Sequence, residues 1–411
     1  MNKLSLIKRY IEEVAFSDVF SRQMRFIAGP RQSGKTTIAR NKLKHLECDK
    51  LYYNWDKKEV RDRYRKETDF LAKDTLELNK AKNIWACFDE IHKMPKWKNI
   101  LKDYFDTYEN KINFIVTGSA KLDMFRKSGD SLAGRYFLFK LNPLILPEIL
   151  GRRIEALLPG KNVVEFIEKS ISGKKHEQSI MEDILKFSGF PEPFLRGSSI
   201  FSKKWHNYYF EKITKEDLRD ISSIHQLEKV IDLLYILPSK IASPLSVNSL
   251  KEDLELNYNT IKNYISYLKL TYAIFEISPY GKKINRLIKK EKKMYFYDFA
   301  IISDEAKKFE NYVSVELKTR IDLWNDMSED KYDISFVRTR DGRETDFLIL
   351  KNSQPLLLIE AKLSDTSIEN HHFLHSKYLG EIPFIQLVKK PDVLEVVQKK
   401  FYIVSASRFF S

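Results

Sequence analysis

The sequence predicts an α/β protein of several domains: a parallel-sheet domain built around a phosphate-binding loop, a helical middle region with a winged helix, and a C-terminal α/β domain. Three observations support this prediction. The chain has 411 residues, which is more than one ordinary hydrophobic core accommodates. An apolar run, a glycine-rich loop and a helical segment follow one another near residue 30. Two apolar strands that carry acidic residues follow one another near residue 350.

The loop comes first, because Gly29 to Thr36 fits the pattern G-x-x-x-x-G-K-[ST]. Its glycines let the backbone curl so that N–H groups point at phosphate oxygens, and the following helix adds the positive end of its dipole. Lys35 is predicted to reach the β and γ phosphates of ATP, and Thr36 to bind Mg²⁺. The residues predicted to bind the nucleotide are Gly29, Pro30, Arg31, Gln32, Ser33, Gly34, Lys35, Thr36, Thr37, Asp89 and Thr117.

Composition limits the setting in which this loop works. The net charge of +14 fits either a polyanion partner or a lysine-rich solvated surface, and both alternatives stay open. The two cysteines, Cys48 and Cys87, have no metal-like neighbourhood and suit a reducing compartment. Since no apolar run approaches the length of a membrane span, we expect a cytoplasmic protein that does not enter the membrane.

Two acidic positions lie at predicted strand ends. The apolar run from Ile84 ends in Asp89 and Glu90, the Walker B pattern of a buried parallel strand. Asp89 is predicted to hold Mg²⁺, and Glu90 to orient the water that attacks the γ-phosphate. Asp56 follows a shorter strand and is either near the metal or a turn-forming residue.

The next strand and the loop after it offer groups that could contact the γ-phosphate. Thr117 or Ser119, at the end of the strand from Asn113, could sense it by hydrogen bonding, or could simply end the strand. Arg135 follows Ser131 to Gly134 and could supply a cation. If it acts in trans, the active form is a homo-oligomer, whereas a monomer suffices if it acts in cis.

These motifs resemble the AAA+ ATPases of bacteria and archaea that carry a C-terminal domain of the DUF4143 type. The blocks that carry the resemblance are Gly29–Thr37, Phe88–Lys93, Thr117–Ser119, Leu132–Arg135, Leu141–Leu144 with Glu148, and Gly189–Pro193. The resemblance implies an AAA+ core over residues 1–150, a helical region over 151–225, a winged helix over 226–280 and a restriction-endonuclease-like domain of the PD-(D/E)xK class over 281–411.

The segment 245–280 predicts a helix-turn-helix followed by a wing, without help from any family. The second helix carries Asn259, Lys262, Asn263 and Lys269. The wing and the residues after it are basic, with Lys282, Lys283, Arg286, Lys289, Lys290, Lys292 and Lys293. Duplex DNA binding and a purely connecting role are both compatible with this pattern.

The C-terminal strands predict a metal-dependent nuclease site. Asp346 lies on the first strand, while Glu360 and Lys362 share one face of the second. The two carboxylates would bind Mg²⁺, and Lys362 would stabilise the attacking hydroxide or the phosphate. The resemblance adds Glu310 from a preceding helix, with Glu316 as the substitute.

Two further expectations concern the histidines and the function of the whole chain. The cluster His371, His372 and His375 is interpreted as part of a solvated or phosphate-facing helix rather than a zinc site. The favoured function is an ATPase whose nucleotide state controls a DNA-binding winged helix and a Mg²⁺-dependent nuclease-like domain. The alternative is a non-nucleolytic ATP-dependent switch or scaffold that binds protein or nucleic acid.

Overall fold

The computed structural model of the protein describes residues 7–78, 80, 82–118, 132–160, 162–173, 177–218, 227–281 and 291–411. The chain forms two compact units. The N-terminal unit comprises residues 9–142 and 270–272, and the C-terminal unit comprises residues 1–8, 143–269 and 273–411. Both units mix helices with a sheet, which confirms the predicted α/β fold class.

The N-terminal unit is built on a parallel sheet. Its strands are β1 (Met24–Ala28), β2 (Tyr52–Asn54), β3 (Ile84–Asp89), β4 (Ile112–Thr117) and β5 (Tyr136–Lys140). Its helices are α1 (Tyr10–Ala15), α2 (Lys35–His45), α3 (Lys58–Lys66), α4 (Phe70–Leu76) and α5 (Trp97–Tyr108). The strand order is β2-β3-β4-β1-β5, and every neighbouring pair is parallel.

Burial explains why the central strands are continuous apolar runs in the sequence. All residues of β1 and β3 are buried, as expected for strands that are covered on both faces. Because the pairs are parallel, β1, β3 and β4 end at the same edge of the sheet. The loop after β1, Asp89 and Thr117 therefore meet at that edge, where ligands bind in open α/β sheets.

The C-terminal unit begins with helices that lead into a mixed sheet. Its first eight helices are α6 (Leu146–Ile149), α7 (Val163–Ser172), α8 (Gln178–Phe187), α9 (Pro191–Arg196), α10 (Ser199–Lys212), α11 (Leu227–Lys240), α12 (Val247–Leu254) and α13 (Tyr258–Leu270). The remaining helices are α14 (Glu305–Met327), α15 (Asn370–Tyr378) and α16 (Ala406–Phe410). Ser246 caps α12 by accepting a hydrogen bond from the Ser249 N–H at 3.4 Å, as its hydroxyl predicts.

Eight strands form the C-terminal sheet. They are β6 (Ile274–Pro279), β7 (Lys293–Phe296), β8 (Tyr332–Arg338), β9 (Glu344–Lys351), β10 (Gln354–Lys362), β11 (Phe384–Val388), β12 (Leu394–Gln398) and β13 (Phe401–Ser405). Their order is β12-β13-β11-β10-β9-β8-β6-β7. The strands predicted around Asp346 and Glu360 are the antiparallel neighbours β9 and β10.

Three features bear on the predicted organisation. The helix, turn, helix and strand predicted over residues 245–280 are present as α12, α13 and β6, while the winged-helix interpretation and the three C-terminal domain boundaries stay predictions. Residues 143–269 and 273–411 group into one unit. None of the helices in the described part of the chain is both long and apolar enough to cross a bilayer.

Candidate functional site

The phosphate loop joins β1 to α2 and depends on its glycines. A Cβ atom on Gly29 would lie 2.2 Å from the carbonyl oxygen of Leu141, so only glycine fits there without moving the backbone. Gly34 precedes α2 with φ of 104°, a left-handed conformation that side chains rarely adopt. The strand, loop and helix that the motif requires are therefore present.

Lys35 and Arg9 hold the loop in shape. The buried Lys35 ammonium donates to the carbonyl oxygens of Gly29 at 2.9 Å and Pro30 at 2.7 Å. The buried Arg9 guanidinium donates to the carbonyl oxygens of Ser33 at 2.9 Å and Asn142 at 2.7 Å. Sequence reasoning missed Arg9, because nothing local marks an arginine 20 residues upstream of the motif as its support.

Asp89 is the centre of a hydroxyl network at the ends of the strands. Its carboxylate is buried and accepts hydrogen bonds from Thr36 at 2.9 Å and Tyr52 at 2.5 Å. Thr117 donates a further, short hydrogen bond to the other carboxylate oxygen. Burial, together with the hydrogen bond to Asp89, raises the pKa of Tyr52, which keeps this phenol a donor. Tyr52 is a member of the network that sequence reasoning missed.

These residues fit ATP and Mg²⁺. Thr36 and Asp89 present a hydroxyl and a carboxylate side by side, and such oxygens are the ligands that Mg²⁺ prefers. The buried Ser33 Oγ and Gln32 Oε1 atoms have no hydrogen-bond partner within the described part of the protein, so the loop has polar groups to offer a phosphate. When bound, Mg²⁺ would neutralise the charge that builds up on the phosphates.

Glu90 follows the network at the end of β3. Its φ of 58° is a left-handed conformation, and its N–H donates to the Thr117 carbonyl oxygen at 2.9 Å. Strained backbone of this kind is typical of functional sites. The nearly buried His92 ring places Nε2 3.4 Å from Glu90 Oε2, a contact that sequence reasoning missed. The Glu90 side chain keeps about a quarter of its surface exposed, at 26 %.

Asp56 takes the turn-forming alternative. Its N–H donates to the Asn54 side-chain oxygen at 2.9 Å, and its carboxylate pairs with Lys93 at 2.7 Å. This hydrogen-bonded pair holds the pKa of Asp56 below its usual value. Asn54, rather than Asp56, is in register with Asp89 across β2 and β3.

Arg135 lies at the opposite edge of the sheet from the phosphate loop. It directly precedes β5, which runs parallel to β1 with Tyr136 beside Met24, whereas the loop leaves β1 after Ala28. A strand of that length separates the two by roughly 13–16 Å. Arg135 instead forms a two-pronged ion pair with Asp106, at 2.7 and 3.1 Å. The cis alternative for Arg135 is therefore wrong, while the trans alternative stays a prediction. Ser119 and Ser131 lie outside the described residues.

A second cluster forms in the C-terminal unit from three of the predicted nuclease residues. Glu360 Oε2 accepts from the Asp346 N–H at 3.1 Å, and Glu360 Oε1 contacts the Lys362 ammonium at 3.1 Å. Burial and Asp346 raise the pKa of Glu360 well above its usual range. The same two influences raise the pKa of Glu310 to about 7, since Glu310 shares a cation with Asp346.

That shared cation is Lys293, which corrects its assignment to the basic wing. Its side chain is fully buried, and its ammonium lies 3.0 Å from Glu310, 2.7 Å from Glu344 and 2.9 Å from Asp346. Burial disfavours the ammonium ion, but the neighbouring Asp346, Tyr295 and glutamates outweigh it and raise the pKa of Lys293. Lys293 therefore cannot reach a phosphate backbone. Glu344 was also missed by sequence reasoning.

Glu316 is not a substitute for Glu310. The buried Glu316 carboxylate accepts from the Leu146 N–H at 2.7 Å and the Tyr312 hydroxyl at 3.2 Å. Burial raises its pKa to about 7, against the opposing effect of Arg320. These contacts make Glu316 a structural residue that joins α14 to the start of α6.

The histidine cluster is buried, so the prediction of a solvated or phosphate-facing helix is wrong. His372 Nδ1 and His375 Nδ1 each lie 2.8 Å from the Thr345 hydroxyl, and His371 Nε2 lies 2.8 Å from the Glu344 carbonyl oxygen. Burial lowers the pKa of His372 to about 3 and also lowers that of His375. Among the described residues, no three histidine, cysteine or acidic side chains are arranged to hold a metal ion.

The second helix of the helix-turn-helix presents an exposed polar face. Tyr258, Asn259, Lys262 and Asn263 of α13 are exposed, while Ile261 packs inward. Lys269 is neutralised by an ion pair with Glu276, which also binds Lys292 at 3.0 Å. The predicted wing residues Lys282, Lys283, Arg286, Lys289 and Lys290 lie outside the described residues.

Comparison with known proteins identifies the class of the N-terminal unit. Residues 21–150 match the family model of the AAA domain, and residues 178–310 match that of a domain of unknown function, DUF8612. The N-terminal unit thus has the sequence and parallel sheet of an AAA-type P-loop ATPase domain. The second match spans both predicted boundaries, at 225 and at 280, and neither match is to a DUF4143 or nuclease-like domain.

Relatives occur in archaea and bacteria. The uncharacterized protein MJ1544 of Methanocaldococcus jannaschii is 24% identical over 92% of this chain and 83% of its own length. MJ1637 of the same organism is 25% identical over 71% of this chain and 63% of its own. Rv2008c of Mycobacterium tuberculosis is 21% identical over 67% of this chain and 54% of its own.

Solved structures also match, among them AMPPCP-bound DnaA from Aquifex aeolicus. That protein is 13% identical, and the match covers 63% of this chain and 86% of the other with a TM-score of 0.28. At that TM-score the likeness carries no argument about this chain.

Proposed function

We propose that the chain is a Mg²⁺-dependent ATPase that acts as a nucleotide-controlled switch and binds nucleic acid, with DNA as the favoured ligand. The observation that carries the ATPase part is the convergence of Thr36, Tyr52 and Thr117 on the buried carboxylate of Asp89, beside the phosphate loop. Such a site can hold Mg²⁺ without rearranging the strands, because three hydroxyls already fix the orientation of the carboxylate.

Catalysis in this proposal rests on two neighbouring positions. Lys35 would leave the loop carbonyls for the β and γ phosphates, and Glu90 would orient the attacking water. Turnover by such enzymes also uses a cation at the γ-phosphate. Since Arg135 cannot supply it in cis, the proposal includes a homo-oligomer in which Arg135 acts in trans.

Replacing Thr36 with valine tests the metal site. Valine keeps the shape but removes the hydroxyl, so we expect ATP affinity in Mg²⁺ to fall about tenfold and to approach the affinity measured in EDTA. Isothermal titration with ATP, with and without Mg²⁺, measures both values. Thr107→Val is the matched control, because Thr107 is exposed on α5, away from the strand ends. Equal Mg²⁺ dependence in Thr36→Val and wild type would refute the assignment.

The exposed face of α13 supports the nucleic-acid part. An exposed helix with adjacent asparagine and lysine side chains offers hydrogen bonds to bases and charge to phosphates. The nuclease-like interpretation is left out of this proposal, because Lys293 occupies the carboxylate cluster. The net charge of +14 favours DNA over the protein-binding alternative, because basic side chains attract a phosphate backbone.

Replacing Lys262 with alanine tests this interface. We expect duplex affinity to fall several-fold and the dependence of log affinity on log salt concentration to lose about one unit of slope. Fluorescence anisotropy over a salt series measures both quantities. Lys377→Ala on α15 removes the same charge from another exposed helix position and serves as the control. If the two variants lose affinity equally, general surface charge rather than α13 accounts for binding.

A further inference from the structure

The carboxylate cluster of the C-terminal unit is organised around a lysine rather than an open space. Lys293 begins β7 and extends its ammonium between α14 and β9. Three carboxylate oxygens, from Glu310, Glu344 and Asp346, lie between 2.7 and 3.0 Å from this one nitrogen. The Lys293 side chain has no exposed surface, so the contact is an interior one.

The oxygens that a metal would need already accept hydrogen bonds. Asp346 Oδ1 accepts from Lys293, and Asp346 Oδ2 accepts from the Ala361 N–H at 3.1 Å. Glu360 accepts from the Asp346 N–H with one oxygen and contacts Lys362 with the other, both at 3.1 Å. The Glu310 oxygen that binds Lys293 also accepts from the Tyr295 hydroxyl at 2.7 Å.

We propose that Lys293 is the resident cation of this cluster and takes the place of the divalent metal that the PD-(D/E)xK resemblance implies. The C-terminal unit then holds its acidic residues as a fixed internal ion network and does not cleave phosphodiesters with a metal. Lys293 also links the strand that follows the basic segment to α14 and β9. This inference goes beyond the ATPase proposal and rests on no part of it.

The physical argument is that two cations cannot share these oxygens. Mg²⁺ binds oxygens at about 2.0–2.1 Å and demands near-octahedral geometry. An ion that bound Asp346 and Glu310 would lie against the Lys293 ammonium, in an interior where charge repulsion is poorly screened. Conversely, without Lys293 the buried carboxylates are left uncompensated, and such a site attracts a divalent cation.

Removing the lysine side chain is the test. The full chain, without nucleotide, is titrated with Mn²⁺ and with Mg²⁺, and bound Mn²⁺ is counted by electron paramagnetic resonance while thermal unfolding is followed. Lys293→Ala should lower Tm by several degrees, bind one more Mn²⁺ per chain than wild type, and regain stability as Mn²⁺ is added. The double variant Lys293→Ala with Asp346→Asn should lose the extra ion.

Lys292→Ala is the matched control, because it removes the same charge one residue away, from a lysine whose partner is Glu276. It should gain no Mn²⁺. A folded Lys293→Ala variant that gains none would overturn the proposal. If Lys293→Ala does not fold, wild type and Asp346→Asn decide: equal Mn²⁺ binding supports the proposal, and loss of one ion in Asp346→Asn overturns it. Metal-dependent DNA cleavage by wild type that Asp346→Asn abolishes would overturn it too. None of these outcomes alters the test at Thr36, since no nucleotide is present.

Discussion

Replacing Lys35 with alanine is expected to lower ATP affinity about 100-fold and to abolish turnover. In the nucleotide-free loop the ammonium is held by the carbonyl oxygens of Gly29 and Pro30, which places it within the curl that would receive phosphate. Charge-assisted hydrogen bonds from such a group contribute about 1.5–3 kcal/mol each, and about 2.8 kcal/mol corresponds to 100-fold in affinity. Isothermal titration with ATP and Mg²⁺ measures the loss.

The control for this variant has to separate lost binding from a damaged loop. Lys44→Ala changes an exposed lysine on the same helix and should bind ATP as wild type does. Thermal unfolding of Lys35→Ala shows whether the loop variant still folds. A folded Lys35→Ala variant that binds ATP within threefold of wild type would show that the nucleotide binds elsewhere.

Replacing Glu90 with glutamine is expected to lower turnover by about 10²–10³-fold while ATP affinity stays within threefold of wild type. Glutamine keeps the size and hydrogen-bonding reach of the side chain but cannot accept a proton from water, and general-base catalysis contributes about 10²–10⁴-fold. The backbone hydrogen bond from Glu90 to Thr117 does not depend on the side chain, so the loop after β3 should keep its shape. Phosphate release and ATP titration measure the two quantities.

Glu59→Gln is the matched control, since Glu59 is an exposed glutamate on α3 of the same unit. It should leave both turnover and affinity unchanged. If Glu90→Gln retains more than a tenth of wild-type turnover, Glu90 does not orient the attacking water, and the nearby His92 becomes the residue to vary next.

The two variants together distinguish a switch that only binds ATP from one that also hydrolyses it. Loss of affinity in Lys35→Ala with an unchanged, negligible turnover throughout would indicate binding alone. Loss of turnover in Glu90→Gln would establish hydrolysis at this site. The Arg135 hypothesis then has a clear form: with the cis geometry excluded by the pairing of β5 with β1, turnover per chain should rise with protein concentration.

The sequence by itself determined the features that depend on neighbouring residues along the chain. The loop pattern of Gly29, Gly34, Lys35 and Thr36 predicted a strand, a loop and a helix in the right order, because backbone geometry at a phosphate site is a local requirement. The buried run ending in Asp89 is visible for the same reason. The alternation that marks β9 and β10 likewise reflects the two-residue period of a strand.

Only the tertiary structure decided which side chains share a space. Tyr52 and Arg9 support the nucleotide site from positions that no local pattern marks. Lys293 looks like one more lysine in a basic stretch, yet it is buried among carboxylates that are 17 to 53 residues away along the chain. Whether a charge meets solvent, a phosphate or an internal partner depends on the packing of distant strands. The sequence therefore predicted the two clusters, but not which cation completes the second.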